Sequence, residues 1–506
     1  MVQQQQESSS HVDPAPLQAA PIGLERWRTP ISEILSEIRR GQKPREMVCL
    51  GCAAKVDLVD TVYPVLAEIA PAIREKTPIN LQPRDDVYIF DTDGQIDITR
   101  AQYSLAALLE PAGCRAVEQD VLACRPDGAV LLASFTANPT REAFRDAMLA
   151  YLESAGRAGH RFTLGKGHTV QLSKSTDEQF LMVDYVRSGR GPITGVANND
   201  TISTIDPNLC HTNWISVFVS LNNALNDLLL SGVTQNLTFH PSYDAPTRQE
   251  VQSLKDAIAR YQERFRDLDI RVVDHGPLGF GIKAIGATIT GTSVLEVPRN
   301  ENLLEGQILI ATRPAGDLAP LTLYLIRQAL EEDTSDLEDL RARVLQQMLV
   351  PNVEAARVIA SYLPDKGKPF DPHRHLTSAR DMSGPGILAL EELAQDSGRD
   401  IYLHNLVLHD PRVADVEMPN PTAGTNGAIL IAAHEAVAYS IWRDLEETGH
   451  QPWIVGRVGK ASDDPTIEIR EDLRHYRFLD ARGAPFFKNS RWVACRKGPS
   501  PGPGRR

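Results

Sequence analysis

The chain has 506 residues, 42% of them hydrophobic and 24% charged, with a formal net charge of −13. This is the composition of a folded globular protein, and the length suggests on the order of two to four domains. The acidic balance argues against broad binding to nucleic acid or anionic membranes, yet leaves room for a local cationic site for an anionic substrate.

Residues 1–25, rich in Gln, Ser, Pro and Ala, are expected to form a disordered tail. They lack the apolar core of a secretory signal, and no run of about 18 apolar residues follows. A cytoplasmic, reducing setting is therefore expected, with the six cysteines as thiols. Thr29-Pro30 predicts a helix start, with Ile31, Ile34, Leu35 and Ile38 on one face and Lys43-Pro44 at its end. Cys49-Leu50-Gly51-Cys52 is a CxxC pair, but no second ligand cluster with zinc spacing accompanies it.

Gly51-Cys52-Ala53-Ala54-Lys55 places a thiol near an amine on a small-residue loop, an arrangement that lowers a thiol pKa and makes a nucleophile. The alternative is a buried Cys and a surface Lys. Asp57 to Ile73 reads as helical, with Pro64 and Pro71 expected to kink or split it. Arg84-Asp85-Asp86-Val87-Tyr88 sets two carboxylates before a short strand, 87–90, which suits either a Mg²⁺ site or a plain turn.

Residues 95–194 read as an inserted αβ lobe with strands at 129–133 and 180–183 and a helix at 140–154. Leu164-Gly165-Lys166-Gly167-His168 lacks the full phosphate-loop pattern and reads better as a hairpin tip. Trp214 to Leu230 is an apolar helix interrupted by Asp227, which is costly to bury unpaired and so suggests a metal or hydrogen-bonding role over a surface position. Strands are expected over 279–291, 307–311 and 428–432, with mostly helix over 317–363. Gly-rich turns fall at 378–386, before a helix at 387–393, and at 420–427. Residues 496–506 form a basic tail expected to be flexible.

With these pieces in order, the chain resembles selenophosphate synthetase (selenide, water dikinase), within the aminoimidazole-ribonucleotide-synthetase-like superfamily. The resemblance rests on the Cys52/Lys55 loop, the Asp85-Asp86 turn, Thr204-Ile205-Asp206, the helix Asn223-Ala224-Leu225-Asn226-Asp227, Arg380-Asp381-Met382-Ser383-Gly384-Pro385-Gly386, and Asn420-Pro421-Thr422-Ala423-Gly424. It covers residues 46–94 and about 195–480. It implies a two-half fold combining α/β and α+β character. The ATP-binding half would be 26–94 with 195–291, the inserted lobe 95–194, and the C-terminal α+β half 292–495.

The resemblance also implies Cys52 and Lys55 as catalytic residues, Asp86, Asp227 and Asp381 with Asp85 as Mg²⁺ ligands, and Asn223, Asp206 and Lys55 as ATP-binding residues. The implied reaction is ATP-dependent conversion of selenide to selenophosphate, with AMP and phosphate, in a homodimer. Sulfide or another small acceptor, or a chalcogen-binding protein of weak activity, are the rival readings. The insert is expected at the cleft rim, covering the Cys52 loop or docking a chalcogen-delivery protein. The chain departs from the family pattern at Ala54, where the second loop Cys would stand, at Pro385, and in about 100 extra residues between the acidic turn and the Asp227 helix.

Overall fold

The computed structural model describes residues 22–40, 63–76, 80–81, 88–90, 161–164, 169–172, single positions between 142 and 153, and most of 194–494. Cys49, Cys52, Lys55, Asp85 and Asp86, the expected strands at 129–133 and 180–183, and both termini lie outside the described residues.

The fold is mixed α/β. Strands β1 (Asn80–Leu81), β2 (Tyr88–Phe90) and β3 (Arg161–Leu164) make a small sheet in the order β1-β3-β2. A five-stranded sheet, β4-β5-β8-β6-β7, is formed by β4 (Thr169–Leu172), β5 (Thr194–Thr201), β6 (Thr238–Asp244), β7 (Arg271–Val272) and β8 (Ala284–Ser293). β3 and β4 flank the expected hairpin tip but pair into different sheets, so they do not form a hairpin with each other. β4, although it falls within 95–194, is a member of the five-stranded sheet.

The second half is a seven-stranded sheet. Its strands are β9 (Ile308–Ala311), β10 (Ser378–Asp381), β11 (Arg399–Leu403), β13 (Ile429–Ala433), β14 (Trp453–Ala461), β15 (Ile467–Ile469) and β17 (Trp492–Ala494), in the order β10-β13-β9-β14-β11-β15-β17. Short β12 (Met418–Pro419) and β16 (Phe478–Leu479) pair beside it.

Side-chain alternation explains why β9 and β13 are apolar throughout. Leu309, Ala311, Leu430 and Ala432 enter one core with Leu390 and Leu393. Ile308, Ile310, Ile429 and Ile431 enter the other with Ile359 and Ile441. A strand buried on both faces reads as a continuous hydrophobic run.

Ten helices are described, numbered in chain order. They are α1 (Ile22–Glu25), α2 (Ile31–Arg40), α3 (Tyr63–Lys76), α4 (Trp214–Leu229), α5 (Arg248–Arg264), α6 (Ala319–Ala329), α7 (Glu338–Met348), α8 (Val353–Ser361), α9 (Ala389–Ser397) and α10 (Glu435–Glu447). α3 contains Pro71 and is continuous through it to Lys76, so that proline does not split the helix; residues 57–62 of the expected helix lie outside the described residues. α4 is the central helix, and every residue from Ile215 to Leu229 is buried. It packs on β5 and β8 of one sheet and meets α8 and β10 of the other half.

Candidate functional site

The site is built first from α4 and β5. Asn198 and Asp200 stand two apart on β5 and share a face; Asn223 and Asp227 stand four apart on α4 and share a face. Asn198 Nδ2 donates to Asp227 Oδ2 at 3.0 Å, and Asn223 Nδ2 donates to Asp200 Oδ2 at 2.5 Å. Two strand residues rise about 6.6 Å and four helix residues about 6 Å, so both pairs close together when strand and helix run in opposite directions. Asp227 is therefore not a surface residue: it is buried, and an amide meets its carboxylate.

The second component is the turn after β10. Asp381 Oδ1 accepts from Asn226 Nδ2 at 2.6 Å, from Ser383 N at 3.0 Å and from Ser383 Oγ at 2.6 Å. Asn226 is aimed in turn by Asn352, whose Nδ2 donates to Asn226 Oδ1 at 2.7 Å. Ser383 Oγ also accepts from Gly427 N at 2.7 Å. The loop 420–427 closes the assembly: Asn426 N donates to Asn223 Oδ1 at 2.7 Å, and Asn420 Nδ2 donates to Gly384 O at 3.1 Å. A Cβ on Gly427 would lie 2.8 Å from Ser383 Cα, so the two loops approach at backbone distance and only glycine fits.

Arg313, just beyond β9, completes the assembly. Its Nη2 donates to Asp317 Oδ2 at 3.0 Å and to Asn426 O. His409 Nε2 lies 2.6 Å from Asp317 Oδ1. Burial alone would raise the Asp317 pKa, but the charges of Arg313 and His409 outweigh it and hold the carboxyl below the usual range.

Three of the motifs read from the sequence thus meet: Asn223 to Asp227, Arg380 to Gly386, and Asn420 to Gly427. Asp206 is engaged elsewhere, in a fully buried ion pair with Arg341 at 2.5 Å. Cys52, Lys55, Asp85 and Asp86 lie outside the described residues. Sequence reasoning did not single out Asn198, Asp200, Arg313 or Asn352. The strand pattern Asn198-Asn199-Asp200 was the available signal for two of them, since alternate polar residues on a buried strand must find partners.

Among the described residues, no three His, Cys, Asp or Glu side chains gather into a metal-binding group. Two observations still fit a Mg²⁺ ion held with help from phosphate and water. Asp381 is tied to Asn226, the neighbour of Asp227 in α4. Asn198 Oδ1 is buried and has no hydrogen-bond partner among the described residues, on the amide that meets Asp227. Mg²⁺ takes one or two carboxylates, keeps several waters and shares substrate phosphates, so a large protein cage is not required.

No family model and no curated protein matches the sequence. Solved structures that it resembles include E. coli HypE, a hydrogenase maturation protein, at 15% identity and a TM-score of 0.40, over 57% of this chain and 85% of that one. A thiamine-monophosphate kinase from Stenotrophomonas maltophilia K279a is similar at 15% identity and a TM-score of 0.42, over 60% of this chain and 98% of that one. AaThiL complexed with AMPPCP and TMP is similar at 16% identity and a TM-score of 0.38, over 59% and 95%. At these scores the likeness carries no argument about what this chain does.

Proposed function

We propose that this chain is an ATP-dependent phosphotransferase acting on a small chalcogen nucleophile, with selenide as the preferred acceptor and selenophosphate, AMP and phosphate as products. The observation that carries the reading is the meeting of the sequence motifs: Asn226 and Asp381, 155 positions apart, share a hydrogen bond, and Asn426 reaches Asn223 across 203 positions. A purely structural helix has no need of that many buried amides and carboxylates, each of which costs free energy to desolvate.

In this reading Asp227 and Asp381, with Asp86 and Asp85, hold Mg²⁺, and Asn223 and Lys55 face the nucleotide. The metal, when bound, neutralises polyphosphate charge. Asn226, Asn352 and Ser383 fix the Asp381 carboxylate in one orientation before substrate arrives. Cys52, with Lys55 favouring its thiolate, presents the acceptor, whose lone pair attacks the terminal phosphorus as the bond to the bridging oxygen breaks and ADP leaves; water then attacks the β-phosphorus of that ADP, giving AMP and phosphate. Asp206, paired with Arg341, supports the fold in place of contacting nucleotide.

The test is an anaerobic incubation with Mg-ATP and selenide or sulfide, with AMP release and ³¹P NMR as readouts. Selenophosphate formation that is lost in Cys52→Ser but kept in Cys49→Ser supports the assignment. If sulfide alone gives a product, the acceptor is reassigned. AMP release that is absent with both acceptors refutes the phosphotransferase reading.

A further inference from the structure

Behind Arg313 and Asn352 the structure holds a cleft of about 1010 Å³ that the proposed chemistry does not use. Arg313, just beyond the end of β9, lines it. One wall is α7 with residues 24–31, and the other is His409 with residues 449–451.

The charge of this cleft is unlike that of the chain. The protein carries a formal net charge of −13, yet no Asp or Glu lines the cleft; Arg28 and Arg343 do, with Arg313 and His409, which share the buried Asp317, and His450, which burial and Arg313 keep neutral near pH 7. Arg28 and Arg343 have no carboxylate partner among the described residues. Arg313 is engaged through its terminal nitrogens, but its buried Nε has no hydrogen-bond partner among the described residues. Two guanidinium groups lining one cleft without a carboxylate partner are suited to recognise phosphate oxygens.

Much of the rest of the lining is apolar. Leu24, Ile31, Val344, Val350 and Leu408 contribute to it, and Gln347 and Gln451 add amides. The volume matches that of pockets for small metabolites, in which apolar walls supply affinity and a few polar groups set orientation.

We propose that this cleft binds a phosphorylated small molecule with an apolar body, at a site separate from the nucleotide site. Arg28 and Arg343 clamp the phosphate, and the Leu24, Ile31 and Leu408 side covers the apolar part. The route from this cleft to the motif network is short, because Arg313 and Asn352 belong to both.

The test is calorimetric titration of the full chain, free of Mg²⁺ and ATP, with phenyl phosphate, inorganic phosphate, benzoate and phenol. Phenyl phosphate is expected to bind saturably and more tightly than the other three. Arg28→Gln and Arg343→Gln, at side chains that hold no ion pair, should each weaken it by about tenfold, the loss of one charge-assisted hydrogen bond, with unchanged melting temperature. Wild-type affinity in both variants, or no saturable binding of phenyl phosphate, overturns the proposal. Benzoate binding as tightly as phenyl phosphate overturns the phosphate assignment. Competition between Mg-ATP and phenyl phosphate overturns the separateness of the site. A protein that turns over no ATP but binds phenyl phosphate through these arginines loses the proposed activity and keeps this site.

Discussion

Asn226 donates to Asp381 at 2.6 Å and so joins the central helix of one half to the edge strand of the other. The bond is itself held, because Asn352 donates to the opposite end of the same amide at 2.7 Å. Removing the amide leaves a carboxylate short of a donor and Asn352 short of an acceptor. Asn226→Ala should destabilise the protein by roughly 1–3 kcal/mol and lower ATP turnover together. Urea unfolding and AMP release measure the two effects. A stable variant with wild-type turnover would remove Asn226 from the site.

Asp227 can be tested for function apart from packing. Asp227→Asn keeps an oxygen that can accept from Asn198 and fills the same volume, so stability should change by less than about 1 kcal/mol. Turnover should nevertheless fall by roughly 100-fold or more, about 2.7 kcal/mol of barrier, if the carboxylate holds the metal. Asp227→Leu removes one acceptor of the buried Asn198 amide and leaves it the Ala224 carbonyl, and should unfold the protein more readily. Equal turnover in Asp227→Asn and wild type would reduce Asp227 to a structural residue.

Asp206 and Arg341 each expose about 2% of their side chains, and the guanidinium stacks 3.6 Å over the Tyr324 ring. Breaking a buried pair by removing one partner costs roughly 3–5 kcal/mol, whereas replacing both with apolar side chains of like volume is often neutral. Asp206→Ala should therefore be strongly destabilised, and Asp206→Leu with Arg341→Met should recover most of the loss. Nucleotide affinity measured in the double variant should match wild type. A large loss of affinity there would return Asp206 to the nucleotide site.

His450 supplies a pH test. Burial, with Arg313 adding to it, lowers its pKa from 6.5 to about 4. The unfolded chain then binds more protons than the folded one between those values. Stability is therefore complete above about pH 6.5 and falls as pH drops toward 4, by roughly 3 kcal/mol in the limit. Unfolding midpoints at pH 7 and pH 4.5 should differ less in His450→Gln than in wild type. An unchanged pH slope in the variant would assign the acid sensitivity to other groups.

Much of the fold was legible because its signals are local. Helix α2, the apolar runs of β9 and β13 and the turn before α9 follow from periodicity and Gly/Pro punctuation, which act over a few residues. The odd position of Asp227 was legible for the same reason: an acid in an apolar helix demands a partner.

What the partner would be was not legible. Asn198 and Asp200 meet Asp227 and Asn223 only because β5 and α4 pack antiparallel with matching rises, and Arg341 claims Asp206 across 135 positions. The sequence by itself determined which groups are too polar to bury alone. The tertiary structure decided which of them meet, because hydrogen bonds reach about 3 Å and the chain brings distant residues that close only when both sheets and the helix between them have packed.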